Sequence, residues 1–279
     1  MLLAHDLVGS GAGPLVVLLH GLSGNRRTWD AIATELVGDG FRVAQLDLRG
    51  HGESGHGGTY NGAYNIVDDY ATDVAETIRS LTDEPVILAG HSLGGVTTLA
   101  VGQTHPELVR ALYCEDPPAF EGSAARRAES PAAGYFGAFV AKIREWQAEG
   151  ASVAEVADVV GAQPDLSGLA RQDRIGREAI EDIARGLLRF DPGAMEAAIV
   201  DDMWAGFDPL APVSAPLFVL RADPAAGAVF IEDDVAPFLA AHPDAGVEMA
   251  AGEGHSIHES PEGRARFLET FRTFVAGLA

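Results

Sequence analysis

Hydrophobic positions along the chain follow two rhythms, one of short unbroken runs and one of helical spacing. Leu15–Leu19 is apolar at every position, as expected of a parallel strand covered on both faces. Phe41–Leu46, Pro85–Ala89, Val109–Glu115, Pro216–Arg221 and Gly246–Ala250 read as further strands, and Leu2–Val8 as a short first one. Between them the period lengthens. Trp29, Ile32 and Leu36 share a helix face behind Thr28, a candidate cap, and Ile66, Tyr70, Val74 and Ile78 do the same within Tyr64–Leu81. Asp68, Asp69, Asp73 and Glu76 are expected on the wet side of that second helix. Gly95–Gln103 and Pro261–Leu278 complete this set. Pro117-Pro118 closes a strand firmly, because neither ring can donate to a ladder. From about Ala119 to Ala211 the strands stop, and Ala132–Glu149, Ser152–Val160, Gln172–Phe190 and Ala194–Val200 all read as helices.

The stretch that organises these elements is Pro85-Val86-Ile87-Leu88-Ala89-Gly90-His91-Ser92-Leu93-Gly94-Gly95. It predicts strand, tight bend and helix, with Ser92 on the bend and glycines two residues to either side where the chain doubles back. A hydroxyl raised there sits at a helix N-terminus, whose free N–H groups favour developing negative charge. Gly-x-Ser-x-Gly alone is a weak pattern. It gains weight from three others in order: His20-Gly21 after the first long run, Asp47-Leu48-Arg49-Gly50-His51-Gly52-Glu53-Ser54 after the next strand, and Gly252-Glu253-Gly254-His255 near the end. Together they resemble the α/β-hydrolase superfamily over nearly the whole chain.

That resemblance implies an α/β fold, with a mostly parallel central sheet flanked by helices and an inserted helical cap. The expected division is a core of residues 1–118 and 212–279 with a cap of residues 119–211. It also implies a serine nucleophile, Ser92, activated by the imidazole of His255, since a serine hydroxyl is a poor nucleophile without a neutral base beside it. The carboxylate that orients His255 is less plain. Many relatives carry Gly-x-x-Asp after the strand matching Pro216–Arg221, whereas this chain has Ala225 where that Asp is expected. Other relatives take the acid from the end of the preceding strand, which is Asp116 here. Asp116 is the first choice and Asp223, reached by a shortened loop, the alternative. Glu115 should face away from Asp116 by strand alternation. The oxyanion hole should be the backbone N–H groups of Leu22 and Leu93.

The other histidines read more plainly. His91 is expected to pack with its side chain pointing away from the site, His20 to steady its own loop, and His51 with Arg49 to serve structure. His258 could pair with His255 around a metal, but the pair lacks a third ligand. Phe136, Phe139, Trp146, Met203 and Trp204 are candidate cap residues against the substrate, the plainer alternative for each being core packing.

Serine at the bend argues against dehalogenases and epoxide hydrolases, relatives that use an aspartate nucleophile. It favours hydrolysis of a small, apolar carboxylic ester or lactone without metal, nucleotide or other cofactor. Carbon–carbon bond hydrolysis, cofactor-free perhydrolysis and a slow-turnover ligand receptor are the alternatives. Composition narrows the partners: a formal net charge of -22 repels nucleic acid and anionic membranes. The single cysteine, Cys114, excludes an intrachain disulfide and reads as a small buried residue. No signal peptide or membrane-spanning run is visible, so the simplest address is the cytoplasm, and nothing in the sequence speaks against a homodimer. The Gly9–Pro14 turn mimics a nucleotide loop but precedes a strand where a dinucleotide loop follows one, which excludes that reading.

Overall fold

Seven strands pair into one sheet: β1 (His5–Val8), β2 (Leu15–Leu19), β3 (Arg42–Leu46), β4 (Val86–His91), β5 (Val109–Glu115), β6 (Leu217–Ala222) and β7 (Gly246–Ala250). Their order is β1-β3-β2-β4-β5-β6-β7, with β1 antiparallel to β3 and every other pairing parallel. These observations come from a computed structural model, which describes residues 1–123, 126, 132–164 and 169–278. All five residues of β2 are buried, because helices cover both faces of the sheet. Strand alternation then divides the core. Leu15, Val17 and Leu19 pack with Tyr70, Val74 and Leu99, while Val16 and Leu18 pack with Trp29, Phe267 and Phe271 on the opposite face.

Three helices follow strands in the first half: α1 (Asp30–Gly38), α2 (Thr72–Leu81) and α3 (Leu93–Thr104). The first begins later than Thr28 suggests. Asn25 accepts from the Arg27 N–H and caps a 3-10 turn over Arg26–Trp29, while the Thr28 hydroxyl donates back to the Asn25 carbonyl. The segment Tyr64–Leu81 also departs from expectation. It opens as a π-helical stretch, Ile66–Ala71, capped by Asn65, and becomes α-helical only at Thr72. Asp69 and Asp73 lie on its buried side, contrary to the wet face expected for them. Arg49 is the reason: its guanidinium grips Asp73 at 2.6 and 2.7 Å and Asp69 at 3.2 Å, exchanging water for a paired cation.

Beyond β5 the chain leaves the sheet and returns at β6, and the described residues between include the helices α4 (Ala132–Glu149), α5 (Val153–Ala162), α6 (Arg171–Ile175), α7 (Arg177–Arg189) and α8 (Pro192–Ala198). Ser152 begins α5 with a reciprocal capping box to Glu155 rather than forming its first turn. The long helix expected over Gln172–Phe190 is two, because Gly176 at φ 86° turns the chain between α6 and α7. Polar contacts seat this layer on the sheet. Asn25 Nδ2 donates to the Asp182 carbonyl at 2.8 Å, the Tyr64 hydroxyl to Asp191 at 2.6 Å, and Asn65 Nδ2 to Asp202 and Ala205 carbonyls.

Two helices complete the core, α9 (Glu232–Ala241) and α10 (Pro261–Ala276). No helix was expected between the last two strands, and Pro237 inside α9 hides its signature. No helix among the described residues is long and apolar enough to cross a membrane.

Candidate active site

The parallel strands end together, and the loops leaving them build the site. Ser92 follows β4 directly and holds φ 54° and ψ -117°, a conformation that L residues rarely adopt. The surroundings enforce it. A Cβ on Gly90 would lie 2.2 Å from the Gly94 carbonyl oxygen, and one on Gly94 would lie 2.2 Å from that of Leu19. Only glycine lets the bend close this tightly, and the closure lifts the Ser92 hydroxyl off the sheet.

His255 arrives from the loop after β7. Its Nε2 lies 2.9 Å from Ser92 Oγ and its Nδ1 lies 2.7 Å from Asp116 Oδ2. Asp116, immediately after β5, is fully buried at φ 39°. Its two oxygens also accept backbone N–H bonds from Ala222, Val229 and Phe230 at 3.0 to 3.2 Å. The carboxylate is thus fixed before it meets the imidazole, and because Nδ1 must donate to it, Nε2 is left free to accept from the serine.

Asp223 does different work. Its carboxylate accepts from Ala225 N–H at 2.9 Å and Gly252 N–H at 2.8 Å, which holds its carboxyl below the usual range. It therefore braces the start of the loop that carries His255, and among the described residues its carboxylate bonds that backbone and not the imidazole. Ala225 is exposed on the turn that follows.

Around this chain the loops are tied down by side chains. His20 bridges the Gly21 carbonyl at 2.8 Å and the Leu48 N–H at 3.0 Å, and His51 lies between the Arg49 and Leu22 carbonyls at 2.9 and 2.7 Å, of which a neutral ring donates to one at a time. Burial holds His20 well below the ordinary histidine range, and pushes His51 down as well. Among the described residues neither Leu22 nor Leu93 spends its N–H on a protein acceptor.

His91 differs from expectation. Its ring turns toward the site, 4.7 Å from that of His255, and its Nε2 meets the His255 carbonyl oxygen at 2.9 Å. Burial, with His255 and His258 nearby, keeps it well below the ordinary range and neutral. Glu115 indeed faces away from Asp116: its oxygens receive His258 Nδ1 at 2.9 and 3.0 Å and the His258 N–H at 3.2 Å. Two adjacent acids at the end of β5 thereby hold two histidines three residues apart. One nitrogen or oxygen each from His91, Glu115 and His258 fall within 4.8 Å of one another, a spacing that could suit a metal. Hydrogen bonds account for part of it: Glu115 engages His258 Nδ1 and His91 Nε2 engages a carbonyl, while His258 Nε2 is buried without a hydrogen-bond partner. The sequence names both histidines but not these partners, because local pattern says what kind of element a residue sits on, not what meets it there.

A cavity of about 330 Å³ opens above Ser92 and His255. Leu22, Phe139, Ile175, Ile183, Leu187 and Met195 supply its apolar wall. Of the aromatic and methionine residues expected there, Phe139 lines it, whereas Trp146, Met203 and Trp204 are buried in the hydrophobic core. The side chain of Phe136 lies outside the described residues. Arg171 and Arg174 reach the rim from α6, paired with Glu259 at 3.2 Å and Glu253 at 2.8 Å on the loop that carries His255.

Known proteins carry the same arrangement of elements. The chain is 36% identical over 106 residues to 2-(acetamidomethylene)succinate hydrolase of Mesorhizobium japonicum, a match covering 38% of this chain and 36% of that one. It thus spans about a third of the length of that relative. In structure it resembles a marine microorganism esterase, with a TM-score of 0.76 at 23% identity, covering 98% and 99% of the two chains. It also resembles Est816, an N-acyl homoserine lactone degrading enzyme, with a TM-score of 0.71 at 21% identity over 98% and 96%. Residues 16–267 match the model of the alpha/beta hydrolase family, to which the chain therefore belongs.

Proposed function

We propose that the protein is a serine hydrolase that cleaves a carboxylic ester or lactone through an acyl-enzyme. The observation that carries this reading is the continuous chain of hydrogen bonds from Asp116 through His255 to Ser92 beneath the cavity, with links of 2.7 and 2.9 Å. Ser92 Oγ attacks the carbonyl carbon while His255 Nε2 takes its proton. The same nitrogen then returns the proton to the departing alcohol, which stays tethered when the substrate is a lactone. Water enters, His255 draws a proton from it, and hydrolysis of the acyl-serine restores the hydroxyl. Asp116 holds the ring in the required tautomer and stabilises the imidazolium formed at each step. The N–H groups of Leu22 and Leu93 receive the oxyanion, a role supported by their lack of another acceptor among the described residues.

The cavity supports a compact, uncharged substrate. Its wall is mainly apolar, and each arginine at its rim is matched by a glutamate, so those two pairs add no net charge. The esterase and lactone-degrading likenesses support the same substrate class.

The test is labelling with a fluorophosphonate, together with hydrolysis of short p-nitrophenyl esters and a panel of lactones. Label should attach to Ser92, and Ser92→Ala should lose both label and turnover. Absence of label and of hydrolysis in the native protein would overturn the proposal. Turnover confined to dienone acids or to peracid formation would move it to the carbon–carbon or perhydrolase alternative.

A further inference from the structure

His91 precedes the nucleophile in sequence and touches the base in space. Its Nε2 lies 2.9 Å from the main-chain oxygen of His255. A carbonyl has no proton to give, so Nε2 carries the hydrogen and donates it. The ring is only 6% exposed and is wedged in place. A Cβ on Gly21 would come within 2.7 Å of its Nδ1, so the loop leading to Leu22 presses on one edge. Behind it stands His258, its ring 5.2 Å away, fixed by Glu115 and stacked on Trp29 at 3.8 Å. The side chain has no room to swing aside.

We infer that His91 is a positioning residue for the reaction proposed above: its Nε2–H to carbonyl bond holds the backbone of His255 in register with the nucleophile one residue away. This rests on the serine hydrolase reading, and it explains a need specific to a two-step reaction. In the free enzyme Ser92 Oγ itself holds the imidazole. Once Oγ is acylated it has no hydrogen to donate, and that contact lapses at the moment when His255 must activate water. Asp116 still holds Nδ1, but it fixes only one end of a ring carried on a loop. The His91 tether contacts the backbone and persists through both half-reactions.

The experiment compares His91→Leu, which fills the space without a donor, with His91→Gln, whose amide N–H can reach about the place of Nε2. Burst and steady-state kinetics on a p-nitrophenyl ester would separate acylation from deacylation. In His91→Leu deacylation should slow by about 10- to 100-fold, the scale on which sub-ångström to ångström misplacement of a catalytic group acts, with acylation slowed less. In His91→Gln it should recover to within about threefold of the native rate, the donor being restored. Equal losses in both variants, or native deacylation in His91→Leu, would overturn the inference. Should His91→Leu fail to fold, His91→Asn, too short to reach the carbonyl, takes its place.

Hydrogen–deuterium exchange over residues 252–258 reads the tether without reference to activity. Exchange should quicken in the donor-less variant and not in His91→Gln, and equal exchange in both would sink the tether. If the native protein neither takes the fluorophosphonate nor hydrolyses any ester, the hydrolase reading fails, and the exchange result alone then decides whether the tether exists.

Discussion

Asp116 collects three backbone N–H bonds besides the imidazole, and each narrows the positions its carboxylate can take. Asp223 also collects backbone bonds, but from Ala225 and Gly252 and without the imidazole among them. The two acids should therefore respond differently to the same change. Asp116→Asn should lower kcat by about three to four orders of magnitude, because an amide in place of the carboxylate stabilises the wrong tautomer and no imidazolium. Asp223→Asn should cost less than about tenfold, acting through a loosened loop. Steady-state assay of both variants on one ester checks the ranking, and the reverse order would shift the role to Asp223. Ser92 and His255 could be nominated from short local motifs, since each sits in a glycine-framed pattern of its own. The acid could only be ranked, Asp116 before Asp223, because the choice depends on which of two loops approaches an imidazole that is 139 residues from one candidate.

At the scale of elements, the bend after β4 and the helix after Asn65 show how local pattern and packing divide the work. Gly90 and Gly94 are legible as a bend, and the structure supplies the reason: added carbon would strike backbone, not yielding side chain. Gly94→Ala should therefore destabilise by about 3 kcal/mol or more and abolish ester hydrolysis, measured by urea unfolding and assay. The acidic residues of the Ile66–Leu81 segment show the opposite case. Periodicity assigns apolar residues to a face but treats every carboxylate as water-seeking. Asp69 and Asp73 are buried because Arg49, twenty or more residues earlier, meets them. Arg49→Met would leave both without that partner, and chemical denaturation should report a loss of about 3 to 5 kcal/mol.

At the scale of the whole molecule, buried histidines link stability to pH. His20, His51 and His91 are held below the ordinary histidine range by burial, so the folded chain resists protons that the unfolded chain binds. Their contribution is complete above the unfolded value near 6.5 and is lost as pH falls below it, at up to about 1.4 kcal/mol per pH unit for each ring that stays neutral. Thermal unfolding should show Tm falling between pH 7.5 and 5.5, before the carboxylates begin to titrate; a flat Tm there would contradict the burial of these rings as neutral groups. What the sequence determined by itself was whatever depends on neighbours a few residues apart: unbroken apolar runs, glycines around a bend, prolines that end a strand. Those features set the kinds of element and their order, because strand and helix preferences act over one or two turns of chain. Only the tertiary structure decided which acid meets His255, where His91 points and what buries Asp73, because each depends on a partner that parallel strands bring alongside from far along the chain.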